Sequence, residues 1–130
     1  MVGIVLISHS RRLAEGAAEL VGQIAGGARV VAAGGTDDGR LGTSTDLITA
    51  AIAAADTGDG VLLIPDLGSS VLSARALLAD LDPHDSGERV RLVDAPFVEG
   101  AAAAAVAACG GLDLATVANA AEEARDARKL

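Results

Sequence analysis

The sequence is nearly without aromatic residues: Phe97 is its one aromatic ring, and Trp and Tyr are absent. That excludes a base-stacking nucleic-acid module and a flavin held between aromatic side chains. Cysteine is equally scarce. Cys109 has no second thiol to pair with, and His9 and His84 add too few ligands for a zinc cluster, so no metal site is expected. A single thiol and no internal disulfide point to a reducing, cytoplasmic compartment. Positive charge is short, with 10 Lys plus Arg against 18 Asp plus Glu and a net charge of −8. Such a surface repels phosphate backbones and anionic bilayers, so neither nucleic acid nor membrane is an expected partner. Long apolar runs are missing too. The longest, Ala101–Cys109, falls far below the roughly 20 residues of a membrane span. The N-terminal run Val2–Ile7 has no basic flank before it and does not read as a targeting segment.

What remains is a chain of 130 residues, 51% of them hydrophobic, enough to enclose a core as a single domain over residues 1–130. Short apolar runs alternate with amphipathic segments, the pattern of strand and crossover-helix units. Val2–Ile7, Arg29–Ala33, Val61–Ile64 and Arg89–Val93 read as strands. The first and third are continuously apolar, as central strands are, whereas Arg89–Val93 alternates like a charged edge. Leu13, Ala17, Leu20, Val21 and Ile24 form one helical stripe, and Leu47, Ile48, Ala51, Ile52 and Ala55 another. Thr43-Ser44-Thr45-Asp46 fits a capping box, and Gly26-Gly27 and Gly58 are the expected stops of these two helices. Further helices are predicted from about Ser69 to Asp80, from about Phe97 to Cys109, and from an Asp113 N-cap onward, with fraying beyond Ala121. Right-handed crossovers then give an α/β fold, a doubly wound three-layer sandwich on a mainly parallel sheet of strand order 2-1-3-4.

In such a sheet the working site lies beyond the carboxyl ends of the strands where the winding reverses. Here that means the loops after Ile7, Ala33 and Ile64. The first loop carries His9 followed by Ser10 at a helix start, where free N–H groups favour an anion; a surface histidine in a cap is the plainer reading. The third, Pro65-Asp66-Leu67-Gly68-Ser69-Ser70, puts a carboxylate at the neighbouring strand end. Asp66 either begins a turn or orients His9 by accepting from one ring nitrogen and leaving the other as a nucleophile. The second loop, Gly34 to Ser44, is glycine-rich and suits a phosphate or a flexible crossover. It has neither the Walker lysine nor the dinucleotide spacing. His84 lies in a plain turn composition and reads as solvated.

Taken in order, Ile7-Ser8-His9-Ser10 with Leu13-Ala14-Glu15-Gly16, then Gly42-Thr43-Ser44, then Asp66-Leu67-Gly68-Ser69, resembles the DhaM-type phosphoryl-donor subunits of phosphoenolpyruvate-dependent dihydroxyacetone kinase. These are relatives of mannose-type phosphotransferase-system IIA domains. The resemblance implies a covalent phosphoryl group carried on His9, no bound cofactor, and a homodimer. It also implies a donor, the carrier protein HPr, and an acceptor, ADP bound on the nucleotide subunit of the kinase. His9 would be the nucleophile, Asp66 its orienter, and Ser10, Thr43, Gly68, Ser69 and Ser70 would hold phosphoryl oxygens. Arg12 would assist, or pair with Glu15 or Glu19 at the surface. Some relatives carry HPr-like and enzyme-I-like domains in the same chain, for which this length leaves no room, so a separate donor is expected. From Gly111 onward the likeness is weakest. Mannose-type IIA domains, which donate to a IIB domain, usually have Gly after the histidine; Ser10 favours the kinase subunit. A phosphoaspartate receiver would need an acidic pair after strand 1 and a lysine at a far strand end, where this chain offers Ser8-His9 and only Lys129. A non-catalytic dimeric module binding a small phosphorylated ligand is the other reading.

Overall fold

The computed structural model describes residues 1–81 and 89–130; His84 and its turn lie outside them. Four parallel strands, β1 (Gly3–Ser8), β2 (Arg29–Gly34), β3 (Val61–Pro65) and β4 (Val90–Leu92), form one sheet in the order β2-β1-β3-β4. The five helices among the described residues are α1 (Arg11–Ile24), α2 (Thr45–Ala55), α3 (Gly68–Asp80), α4 (Phe97–Cys109) and α5 (Leu114–Glu123). The order 2-1-3-4 and the helical layers are those expected from the sequence.

The central strands alternate between two cores, because successive side chains of a strand point to opposite faces. Ile4, Leu6, Leu62 and Ile64 meet α1, α4 and α5 on one face, with Val21, Ala104, Ala105, Val117 and Ala121. Val5, Ile7 and Leu63 meet α2 and α3 on the other, with Ile48, Ala51 and Ala74. Burial on both faces explains the continuous apolar runs, and each fully buried Ile or Leu contributes about 1.5–3 kcal/mol.

Helix α1 sits on the sheet through a different face from the one its large residues suggest. Ala14, Ala17 and Val21 are buried, whereas Leu13, Leu20 and Ile24 are 46%, 49% and 55% exposed. The cause is close approach. A side chain at Gly34 would meet the Ser10 carbonyl at 2.5 Å and the Ala14 methyl at 2.8 Å, so only small residues fit beneath the helix. The stripe of α2 holds, with Ile48, Ala51 and Ala55 buried.

The helix ends depart from expectation in detail. Ser44, not Thr43, caps α2, its hydroxyl accepting from Leu47 N–H. Helix α1 stops at Ile24 with Ala25 as its C-cap, and Gly26-Gly27 turn without positive φ. Gly58 does take a positive φ, of 106°, but beyond the Asp56 C-cap of α2. Asp113 caps α5 as expected. The segment after Ala121 does not fray at once. Helix α5 continues to Glu123 and passes into a 3-10 turn at Ala124–Asp126, where Arg125 donates to the carbonyls of Glu122 and Asp94. Among the described residues no helix is long and apolar enough to cross a membrane.

Candidate functional site

The carboxyl ends of β1 and β3 lie side by side, with Ile7 paired to Pro65, so the residues that follow each strand are neighbours. The Asp66 N–H donates to the Ile7 carbonyl at 2.9 Å. This fixes the two loops against each other and brings His9 and Asp66 together: His9 Nδ1 is 3.0 Å from Asp66 Oδ1.

Asp66 is held from several sides. Its Oδ2 accepts from the Ser8 hydroxyl at 2.8 Å and from the His9 N–H at 3.0 Å. Its Oδ1 accepts from the Leu67 N–H at 2.7 Å and lies 2.9 Å from the Ser70 hydroxyl, besides facing the His9 ring. Burial by itself pushes this carboxyl up. The bonds from His9 N–H, Ser8, Ser70 and Leu67 N–H outweigh that effect and hold it below the usual carboxylate range. An ionised carboxylate can only accept, so Nδ1 carries a proton, and in the neutral ring Nε2 is the nitrogen left with a lone pair. The same arrangement argues against a phosphoaspartate receiver, since both oxygens of Asp66 are occupied and its side chain is only 7% exposed.

The His9 side chain is 25% exposed. Its Nε2 points at the Ser69 hydroxyl in the first turn of α3, where backbone N–H groups have no intrahelical partner. The N-termini of α1 and α3 therefore both end beside the ring, and their dipoles favour negative charge there. The glycine-rich loop closes a third side. Gly42, at a φ of 139°, donates its N–H to the His9 carbonyl at 2.9 Å.

The other residues singled out by sequence fall in different places. Gly68 opens α3, with open space where its side chain would be. Ser10 caps α1, its hydroxyl accepting from Leu13 N–H at 3.2 Å. The Thr43 hydroxyl is 2.7 Å from that of Ser73. Ser70 is buried, its hydroxyl turned to Asp66 and the Leu67 carbonyl. Of the two readings of Arg12, the surface pair is not formed among the described residues: Glu15 pairs with Arg11, at 3.0 Å. The sequence alone assigns Ser8 no role. It is fully buried, and its oxygen also accepts from Ser10 N–H at 3.0 Å. The signal was available: a hydroxyl ending a wholly apolar strand needs a partner when buried. Beside the Asp66 loop a groove of about 500 Å³ is lined by Leu67, Gly68, Val71 and Arg75.

Residues 3–118 match the family model EIIA-man, described as the PTS system fructose IIA component. The phosphoryl donor subunit DhaM of a PEP-dependent dihydroxyacetone kinase 2 from Listeria innocua is 40% identical over 107 residues, covering 82% of this chain and 85% of that protein. The corresponding subunit from Providencia stuartii is 36% identical and that from Pantoea ananatis 41%, each over 99% of this chain but only 28% of theirs. The chain thus spans most of the Listeria protein and about a quarter of the other two. The crystal structure of EF1359, a protein of unknown function, superposes with a TM-score of 0.84 at 36% identity, covering 99% of this chain and 96% of that one. On these grounds the chain belongs to the EIIA-man family, among its DhaM-type phosphoryl donor subunits.

Proposed function

We propose that this chain is a phosphoryl carrier that takes a phosphoryl group from phospho-HPr onto Nε2 of His9 and passes it to ADP bound on the nucleotide subunit of dihydroxyacetone kinase. The observation that carries the reading is the Asp66 to Nδ1 contact, which leaves Nε2 as a nucleophile facing the first turn of α3. In the first step Nε2 attacks phosphorus as the bond to the HPr histidine breaks. In the second the terminal oxygen of ADP attacks, and His9 leaves as the neutral ring. Such transfer needs in-line positioning and stabilised equatorial oxygens more than further covalent chemistry from the protein. The Ser69 hydroxyl, which lies at Nε2, and the first-turn N–H groups of Gly68 and Ser69 would take on that task. Metal on the diphosphate of ADP would offset the acidity of this chain as the two surfaces meet.

The test is the fate of the label. Phosphorylated protein mixed with the nucleotide subunit is expected to convert its bound ADP to ATP and to support phosphorylation of dihydroxyacetone. Passage to a IIB domain with bound ADP untouched would make the chain a sugar-transport IIA component instead.

The carrier is also proposed to be a homodimer. The exposed Leu13, Leu20 and Ile24 on the outer side of α1 support this, since apolar side chains gathered on one face mark an interaction surface. Sedimentation equilibrium is expected to give twice the 12.8 kDa of the chain; a 12.8 kDa species at micromolar concentration would remove the dimer.

A further inference from the structure

Ser70 lies in the first turn of α3, fully buried, and aims at the carboxylate that holds the histidine. Its oxygen is 2.9 Å from Asp66 Oδ1 and 2.6 Å from the Leu67 carbonyl oxygen. A hydroxyl has one proton to give. It therefore serves the carboxylate or the carbonyl, and rotation about the Cβ–Oγ bond exchanges the two. Asp66 Oδ1 is at the same time the acceptor for His9 Nδ1, so the Ser70 proton and the ring proton draw on one oxygen.

We propose that Ser70 is a positioning residue that sets the balance between free and phosphorylated His9 by sharing Asp66 Oδ1 with the ring; this rests on His9 being the phosphoryl carrier. Attachment of phosphorus at Nε2, with Nδ1 still protonated, puts positive charge on the ring. The ring N–H then gains from every increment of negative charge on Oδ1. With the Ser70 proton on Oδ1 part of that charge is taken up, the phosphorylated ring is held less well, and the group is passed on more readily. With the proton turned to the Leu67 carbonyl, Oδ1 is released and the phosphorylated ring is retained. No proton leaves the site: the hydroxyl rotates and Nδ1 keeps its hydrogen.

A purely structural role predicts something else. The Leu67 carbonyl also accepts from the Ser70 N–H at 3.1 Å, and the Leu67 N–H is held by Asp66. Removing the hydroxyl therefore leaves neither group without a partner, and Ser70→Ala is expected to fold.

The experiment compares the full chain with Ser70→Ala and with Ser70→Cys, which keeps a weak donor. In the unphosphorylated proteins the NMR signal of His9 Nδ1–H is expected to move downfield in Ser70→Ala, with Ser70→Cys between it and the parent. In exchange with phospho-HPr, the Ser70→Ala equilibrium is expected to favour the phosphorylated carrier by about three- to tenfold, roughly the span of a partial change in one charge-assisted bond. Onward transfer should slow by a similar factor. A parent that takes no label overturns the carrier reading and the transfer half of this proposal. A labelled parent whose ring signal and exchange equilibrium are unmoved by Ser70→Ala, or moved the other way, overturns the role of Ser70 alone.

Discussion

Incubated with phosphoenolpyruvate, enzyme I and HPr, the protein is expected to gain one phosphoryl group, about 80 Da by intact mass, and His9→Ala is expected to gain none. The adduct should be labile in acid and stable in base, as a phosphoramidate is, and should need HPr. The size of the effect follows from the geometry. Serine hydroxyls around the ring are engaged, Ser8 and Ser70 with Asp66, Ser10 with the end of α1 and Ser69 with Nε2 itself. Asp66 has no free oxygen to offer. Nε2 of His9 combines a lone pair, partial exposure and the first turn of α3 beside it, and with the ring gone the Ser69 hydroxyl has lost the basic partner that a serine nucleophile needs. His84→Ala should label as the parent does. Label retained in His9→Ala would end the carrier reading.

The parts of this molecule that were legible in the sequence are those set by local chemistry and by topology. Continuous apolar runs marked β1 and β3 as central because a strand covered on both faces has no polar side. Once order 2-1-3-4 was inferred, the adjacency of His9 and Asp66 followed from the crossover rule, without knowledge of any side-chain contact. What was not legible depended on distances between elements. A hydrophobicity pattern points away from the buried face of α1 because it ranks Leu above Ala. The separation of helix and sheet at Gly34 admits only the smaller residue. The orderly end of α5 is hidden from the sequence for a similar reason. Arg125 looks like a frayed polar residue until the Asp94 carbonyl is brought to it by the fold. The roles within the serine cluster were likewise hidden, since Ser69 and Ser70 are adjacent in sequence and alike in type. Helical geometry turns them apart, one hydroxyl to His9 Nε2 and the other to Asp66.

Asp66→Asn should slow phosphoryl transfer by about a hundredfold or more while leaving the fold recognisable, because an amide of the same shape cannot satisfy what surrounds it. The carboxylate faces donors on both oxygens: Ser8 hydroxyl and His9 N–H on one side, Leu67 N–H and Ser70 hydroxyl on the other, with the ring between. An amide has one acceptor oxygen. If that oxygen takes the Oδ2 place, the amide N–H groups confront the Leu67 N–H, and Nδ1 must accept rather than donate. The ring proton then moves to Nε2 and the nucleophile is lost. If the amide turns over, Nδ1 keeps its proton, but the His9 N–H and Ser8 face a donor, at a cost of about 1–3 kcal/mol for the buried group left unpaired. Either way the variant gives up rate, stability, or both. The pH dependence separates this from a simple turn residue. The parent carboxyl sits below its ordinary value, so its contribution to stability is fully present above the unfolded value of about 3.9 and is lost as pH falls through the lowered one. Acid titration of the parent, followed by circular dichroism, should show that limb, and in Asp66→Asn it should be reduced to what the other lowered carboxyls, Asp113 among them, contribute. Transfer rates equal to the parent's, with the same acid limb, would show that Asp66 only begins a turn.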